Sequence, residues 1–130
     1  MSADSTPPKQ IKLRRQSRVL ELGYAGGEIF SLPWEFLRVY SPSAEVRGHH
    51  PSQSVLQTGK KHVNIEAVKP IGHYAVQLIF DDGHDTGLYT WPYLRELGEQ
   101  QQALWERYLL QLREAGASRD PDTQVLHFQP

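Results

Sequence analysis

YAVQLIFDDGHDTGLYTWPYLREL, residues 74–97, decides the fold. Tyr74, Val76, Leu78 and Phe80 alternate with Ala75, Gln77 and Ile79, and both sets are largely apolar. That pattern predicts a strand covered on both faces, central to a sheet. Asp81-Asp82-Gly83 follows as a turn, since glycine tolerates positive φ and aspartate bonds nearby amides. TGLYT then returns as a second strand, placing His84 at or just past the hairpin tip. Thr90 caps a helix that opens on WPYLREL, and Gly98 is placed to end it.

Working outward, VNIEAVKPI precedes this hairpin and reads as its neighbouring strand. Near the start, IKLRR and RVLELGY alternate apolar and polar residues, and EIFSL returns after the turn Tyr24-Ala25-Gly26-Gly27. PWEFLRVY, residues 33–40, fits a short helix with Pro33 in its first turn and Ser31 as its cap. Residues 41–62 show no period and hold two prolines and two glycines, which predicts one long loop. Leu104, Trp105, Tyr108, Leu109 and Leu112 share one helical face, and Gly116 closes that helix. FSLPWEFLR (30–38) and YTWPYLREL (89–97) echo each other, each a strand running straight into a helix. The expected fold is α+β: a mixed or mostly antiparallel sheet of five to six strands with two to three helices. One domain is expected over 9–116, with tails at 1–8 and 117–130.

Composition narrows the function. The chain has 130 residues, a net charge of −1 and no cysteine. Disulfides, thiolate zinc sites, cysteine nucleophiles and self-ligated iron–sulfur clusters are thereby excluded. No apolar leader or membrane-length run is present, so a cytoplasmic protein with no membrane partner is expected. No phosphate-binding glycine loop, GxSxG or HExxH motif occurs. The basic run KQIKLRRQSR (9–18) lacks an aromatic platform, and it reads as the charged face of an edge strand rather than a nucleic-acid site.

His84, flanked by Asp82 and Asp85, has three readings on residues alone: part of a metal site, an acid–base pair, or a polar turn. Pattern favours the turn. His49 and His50, adjacent in the long loop, are the other candidate imidazoles. With His84 and Asp82 they complete a candidate metal set, although neighbours i and i+1 rarely point the same way. No catalytic residue is assigned.

Three features carry a family resemblance: IFSLPWEFLRVYSPSAEVRGH (29–49), KKHVNIEAVKPIGHYAVQLIFDDGHDTGLYTWPYLREL (60–97), and their order with a loop between. Together they resemble the small N-terminal domain of gamma-butyrobetaine and trimethyllysine hydroxylases. That domain also occurs as stand-alone bacterial proteins and fused to P-loop iron–sulfur carriers. The resemblance spans residues 9–98. It implies a structural zinc held by three cysteines of a C-P-C-x-x-C stretch and one histidine. Here those positions are Ser41, Ser43 and Val46, with His84 as the histidine. Serine is far harder to deprotonate than cysteine and valine cannot ligate, so the family's zinc is expected to be absent. The hydroxylases' catalytic iron belongs to a larger domain with no counterpart here. The resemblance implies a non-enzymatic accessory domain whose partner is another protein, a second copy included, with a link to iron–sulfur or metal handling. The alternative is a zinc or iron protein using His84 with nearby carboxylates or loop histidines.

Overall fold

The computed structural model describes residues 6–48 and 54–121. Strands β1 (Gln10–Arg14), β2 (Val19–Gly23) and β3 (Ile29–Pro33) form one antiparallel sheet in the order β1-β2-β3. Strand β3 feeds directly into helix α1 (Trp34–Val39), and α2 (Ala44–Arg47) follows. Strands β4 (Ile65–Ile71), β5 (Ala75–Phe80) and β6 (Leu88–Thr90) form a second antiparallel sheet in the order β4-β5-β6. Helices α3 (Trp91–Glu99) and α4 (Gln101–Ala115) complete the domain. The α+β class, the six strands and the central place of β5 match the sequence reading. Among the described residues the strands make two sheets rather than one, both antiparallel, and there are four helices.

The two sheets meet in one core. Leu20, Leu22 and Leu32 come from the first sheet, Ile65, Val76, Leu78, Phe80 and Tyr89 from the second. Trp34, Phe36 and Leu37 of α1 and Leu94 and Leu97 of α3 close it. A smaller cluster forms where Tyr108 and Leu112 of α4 meet Val39. The basic run helps join the sheets. Arg15 donates to the carbonyls of Ile65 and Glu66, and Arg18 to that of Val63 and to the Asn64 amide oxygen. Arg14 pairs with Glu21 across the β1–β2 ladder at 2.8 Å. Among the described residues no helix is long and apolar enough to cross a membrane.

Three local expectations change. Ser31 is not a cap: it lies in the ladder opposite Glu21, and α1 begins at Trp34 with Pro33 in the cap position and no side-chain cap. Its echo Thr90 does cap, accepting from the Tyr93 amide at 3.3 Å, because α3 starts one residue before its proline whereas α1 starts one residue after. The stretch 41–62 is not a plain loop, since α2 forms within it and Val55 N bonds Val46 O at 2.8 Å. Gly98 does not end α3. It sits inside the helix, where a Cβ would lie 2.6 Å from Phe30 Cγ, so packing explains the glycine. Gly116 does close α4, in the left-handed region at φ 62°.

Past Gly116 the described chain lies against the body. The Arg119 guanidinium pairs with both oxygens of buried Glu35 at 2.7 Å, and Gly59 N bonds Ser118 O at 2.9 Å. The rest of the expected 117–130 tail, and most of 1–8, lies outside the described residues.

Candidate functional site

The hairpin between β5 and β6 builds the site. Gly83 takes φ 87°, which turns the chain and brings the Phe80 amide to the His84 carbonyl at 3.0 Å. Asp82 Oδ1 accepts from the His84 amide at 3.2 Å, closing an Asx turn. With the backbone fixed at both ends, the imidazole is directed inward. His84 is 5% exposed and packs beside the Phe80 ring.

What it meets comes from the segment after α1. His84 Nε2 lies 2.8 Å from Ser41 Oγ and 3.3 Å from Ser43 Oγ. On the other side of the ring, Nδ1 lies 3.3 Å from Glu45 Oε2, and Thr86 Oγ1 donates to Glu45 Oε1 at 3.1 Å. Ser41 and Ser43 are buried at 1% and 5% exposure, and Val46 at 8%. Burial pulls the His84 pKa below the ordinary imidazole value and the nearby Arg38 charge adds to that; Glu45 and Asp82 oppose but do not prevail. The ring is therefore neutral at neutral pH. Its partners assign the tautomer: Nδ1–H donates to the Glu45 carboxylate, and Nε2 accepts from the Ser41 hydroxyl.

The linkage follows from the direction of that shift. An imidazole with a depressed native pKa is protonated more readily in the unfolded chain, so its contribution is complete above about pH 6.5 and is lost as pH falls from there through the native value. We expect unfolding free energy to decline as the solution is acidified below about pH 6.5, and His84→Gln to remove part of that decline. The other five histidines stay in both proteins, so the difference between paired urea titrations isolates His84. Parallel pH profiles for the two proteins would exclude this role.

Asp82 faces elsewhere. Its Oδ2 accepts from Arg38 Nε at 2.9 Å and Lys60 Nζ at 2.7 Å. Burial works to raise its pKa, but Lys60, Arg38 and the His84 amide outweigh it and hold the carboxyl below the ordinary range. The sequence reading placed Asp82 in a metal set with His84; its oxygens instead serve two cations and an amide. Asp85 is exposed, and its backbone carbonyl accepts from Gln77 Nε2 at 2.7 Å. His49 and His50 lie outside the described residues. The residues that sequence reasoning missed are Glu45, Arg38 and Lys60. Glu45 stood inside the quoted SPSAEV; Arg38 and Lys60 gave no local signal.

Ser41, His84 and Glu45 are connected in the order of a serine–histidine–carboxylate triad. Attack needs a carbonyl carbon in contact with the serine oxygen, and here that oxygen is enclosed. A Cβ on Gly87 would come within 2.5 Å of Ser41 Oγ, and the Ser43 amide donates to the same oxygen at 3.3 Å. Nor do the donors suit zinc. Two neutral hydroxyls and a hydrocarbon cannot replace three thiolates, and among the described residues no group of three or more His, Cys, Asp or Glu could hold a metal ion.

Two three-stranded sheets with a hairpin histidine buried against the segment after α1 define a small α+β domain built around an internal polar knot. The chain belongs to the gamma-butyrobetaine hydroxylase-like, N-terminal family, whose model matches residues 11–95. Two solved NMR solution structures are similar over nearly the whole chain. One is 48% identical at a TM-score of 0.80, covering 98% of this chain and 100% of that one. The other is 53% identical at 0.76, covering 99% of each. A crystal structure of a protein of unknown function from Acidithiobacillus ferrooxidans, assigned to the DUF971 family, is 44% identical at 0.61, covering 74% of this chain and 98% of that one. No protein with a curated description matches.

Proposed function

We propose that this chain is a non-catalytic domain whose work is to bind another protein. The observation that carries the reading is the enclosure of its chemistry. Ser41 and His84, the groups best able to act on a substrate, are 1% and 5% exposed and spend their polar atoms on each other and their neighbours. The second sheet turns apolar side chains outward instead: Tyr74, in the β4–β5 turn, is 56% exposed and Leu88, on β6, 41%. Large exposed apolar groups beside a rigid sheet suit contact with a protein surface. Iron–sulfur carriers are the first partners to test, because domains resembling this one are fused to them.

The test pairs capture with chemistry. Tagged protein expressed in its native host is expected to retain a defined partner that a Tyr74→Glu/Leu88→Glu variant loses while keeping its fold by circular dichroism. A fluorophosphonate probe is expected to leave Ser41 unlabelled. Labelling abolished by Ser41→Ala, or repeated capture of no partner, would overturn the reading.

A further inference from the structure

We infer that Glu35, Phe36 and Trp105 form a pocket for an arginine side chain, that the chain's own Arg119 fills it, and that an arginine of the protein this domain binds takes its place when the segment 117–121 is displaced. The pocket adds a second point of contact to the protein-binding reading, on which its occupant rests.

The carboxylate is the first support. Glu35 stands on α1 with a side chain only 8% exposed. A buried carboxylate without a cation is costly, so the body of the domain is built to receive a positive charge here. That charge arrives from beyond the end of α4, on Arg119, whose side chain is 35% exposed. The geometry selects guanidinium. Arg119 Nε donates to Glu35 Oε2 and Nη2 donates to Oε1, both at 2.7 Å, a fork that a lysine ammonium cannot reproduce.

An aromatic wall is the second. The guanidinium carbon lies 5.0 Å from the centre of the Trp105 ring. Phe36 holds that ring edge-on at 6.4 Å, and Tyr108 packs against it at 5.2 Å. A carboxylate fork and an aromatic ring are the two contacts that suit a planar cation. A cleft of about 540 Å³ continues from this corner between Pro33, Gly98, Gln101 and Gln102, which leaves room for residues flanking an arginine.

The backbone seat is the third. The Gly59 amide donates to the Ser118 carbonyl at 2.9 Å, and the Lys61 amide to that of Arg119 at 3.0 Å. The segment therefore lies along 59–61 by main-chain bonds while its arginine enters a side-chain pocket, the way a domain takes an extended peptide. Gly59, at φ 67°, permits the close approach: a Cβ there would lie 3.3 Å from Pro121 Cα. Residues 117–121 thus make the contacts of a bound peptide, supplied by the same chain. A segment tethered in this way competes at an effective concentration of about millimolar, so a partner must bring contacts besides its arginine to displace it.

The experiment titrates full-length Arg119→Ala with N-acetylarginine methylamide and follows the Glu35 and Phe36 amides and the Trp105 indole by NMR, with the lysine analogue at equal ionic strength as control. The arginine probe is expected to shift these signals saturably and to raise the melting temperature. The lysine probe should do neither, and Arg119→Ala/Glu35→Gln should respond to neither probe. The parent is expected to show no saturation, because Arg119 already holds the pocket. If Arg119→Ala folds only with the arginine probe present, the assignment is supported equally. Should it fold with neither probe, Arg119→Lys takes its place and must show the same arginine-selective shifts. A protein partner captured from the native host by Arg119→Ala is expected to be lost from Arg119→Ala/Glu35→Gln. A flat titration, an equal response to the lysine probe, or a partner held equally by both variants overturns the arginine pocket and leaves the protein-binding reading standing. Capture of no partner by the parent or either variant overturns that reading, and the occupant named here with it.

Discussion

Asp82→Ala is expected to destabilise the domain by about 3 kcal/mol, the cost of leaving the buried Arg38 guanidinium without its anion. The side chain of Arg38 is only 8% exposed, and its Nε donates to Asp82 at 2.9 Å. Its remaining contacts are neutral: Gln57 Oε1 at 3.0 Å and the Phe80 ring, with the guanidinium carbon 6.0 Å from the centroid. Alanine would leave that charge buried with no anion. Lys60 and Asp82 are 22% and 23% exposed, so solvent recovers part of their interaction and the effect falls at the lower end of the range. A loss of about 3 kcal/mol lowers the melting temperature of a domain this size by roughly 10 °C.

Two companion variants test the cause. Asp82→Asn keeps an acceptor for the His84 amide but not the charge, and should fall between parent and alanine. Adding Arg38→Met to Asp82→Ala should recover part of the loss, because no unpaired charge then remains inside. The pH dependence has a definite sign. A carboxyl held below its ordinary range stabilises the fold fully above about pH 4 and loses that effect as pH falls through the native value. Equilibrium urea unfolding decides. An Asp82→Ala change within about 0.5 kcal/mol of the parent, or no recovery from Arg38→Met, would remove the ion pair from the account.

How much of this was legible depends on distance along the chain. The β5–β6 hairpin and its capped helix could be read because their signals are local: alternation over 74–80, an Asp-Gly turn, and Thr90 before a helical pattern. Ser31 failed as a cap because α1 starts one residue after its proline, which leaves Ser31 too far from the first turn, and no local rule fixes that start. α2 was missed because four residues are too few for any period to show. The partners of Asp82, Arg38 and Lys60, lie 44 and 22 residues away in sequence. Nothing at Asp82 itself names them. The meeting of His84 with Ser41 and Ser43 was accessible only through resemblance, since two serines after a helix carry no chemical signature of their own. Glu45 completes the set, yet it lay at an unassigned position of the resembling stretch. The sequence thus disclosed the site's backbone but not its charges.

Gly98 gives the second large effect, with a sign opposite to that of helix propensity. In an exposed helix interior, glycine to alanine stabilises by about 1 kcal/mol. Gly98 lies within α3, packed against β3, and an added Cβ would stand 2.6, 2.7 and 2.9 Å from three carbons of the Phe30 ring. Real carbons do not approach so closely, so the ring or the helix must move. The ring is not free to do so. It meets Tyr24 edge-to-face at 5.8 Å, and the Arg95 guanidinium covers both rings at 5.4 and 4.9 Å. Overpacking of this kind costs about 1–3 kcal/mol. Gly98→Ala is therefore expected to destabilise the domain by up to about 2 kcal/mol after the propensity gain is counted. In a Phe30→Leu background the ring is gone, and the same substitution should become neutral or stabilising by up to about 1 kcal/mol. That change of sign between backgrounds, read from four urea unfolding curves, separates steric contact from any general intolerance of α3 to substitution. Stabilisation by Gly98→Ala in the parent would show that Phe30 yields and that the glycine has no packing reason to be there.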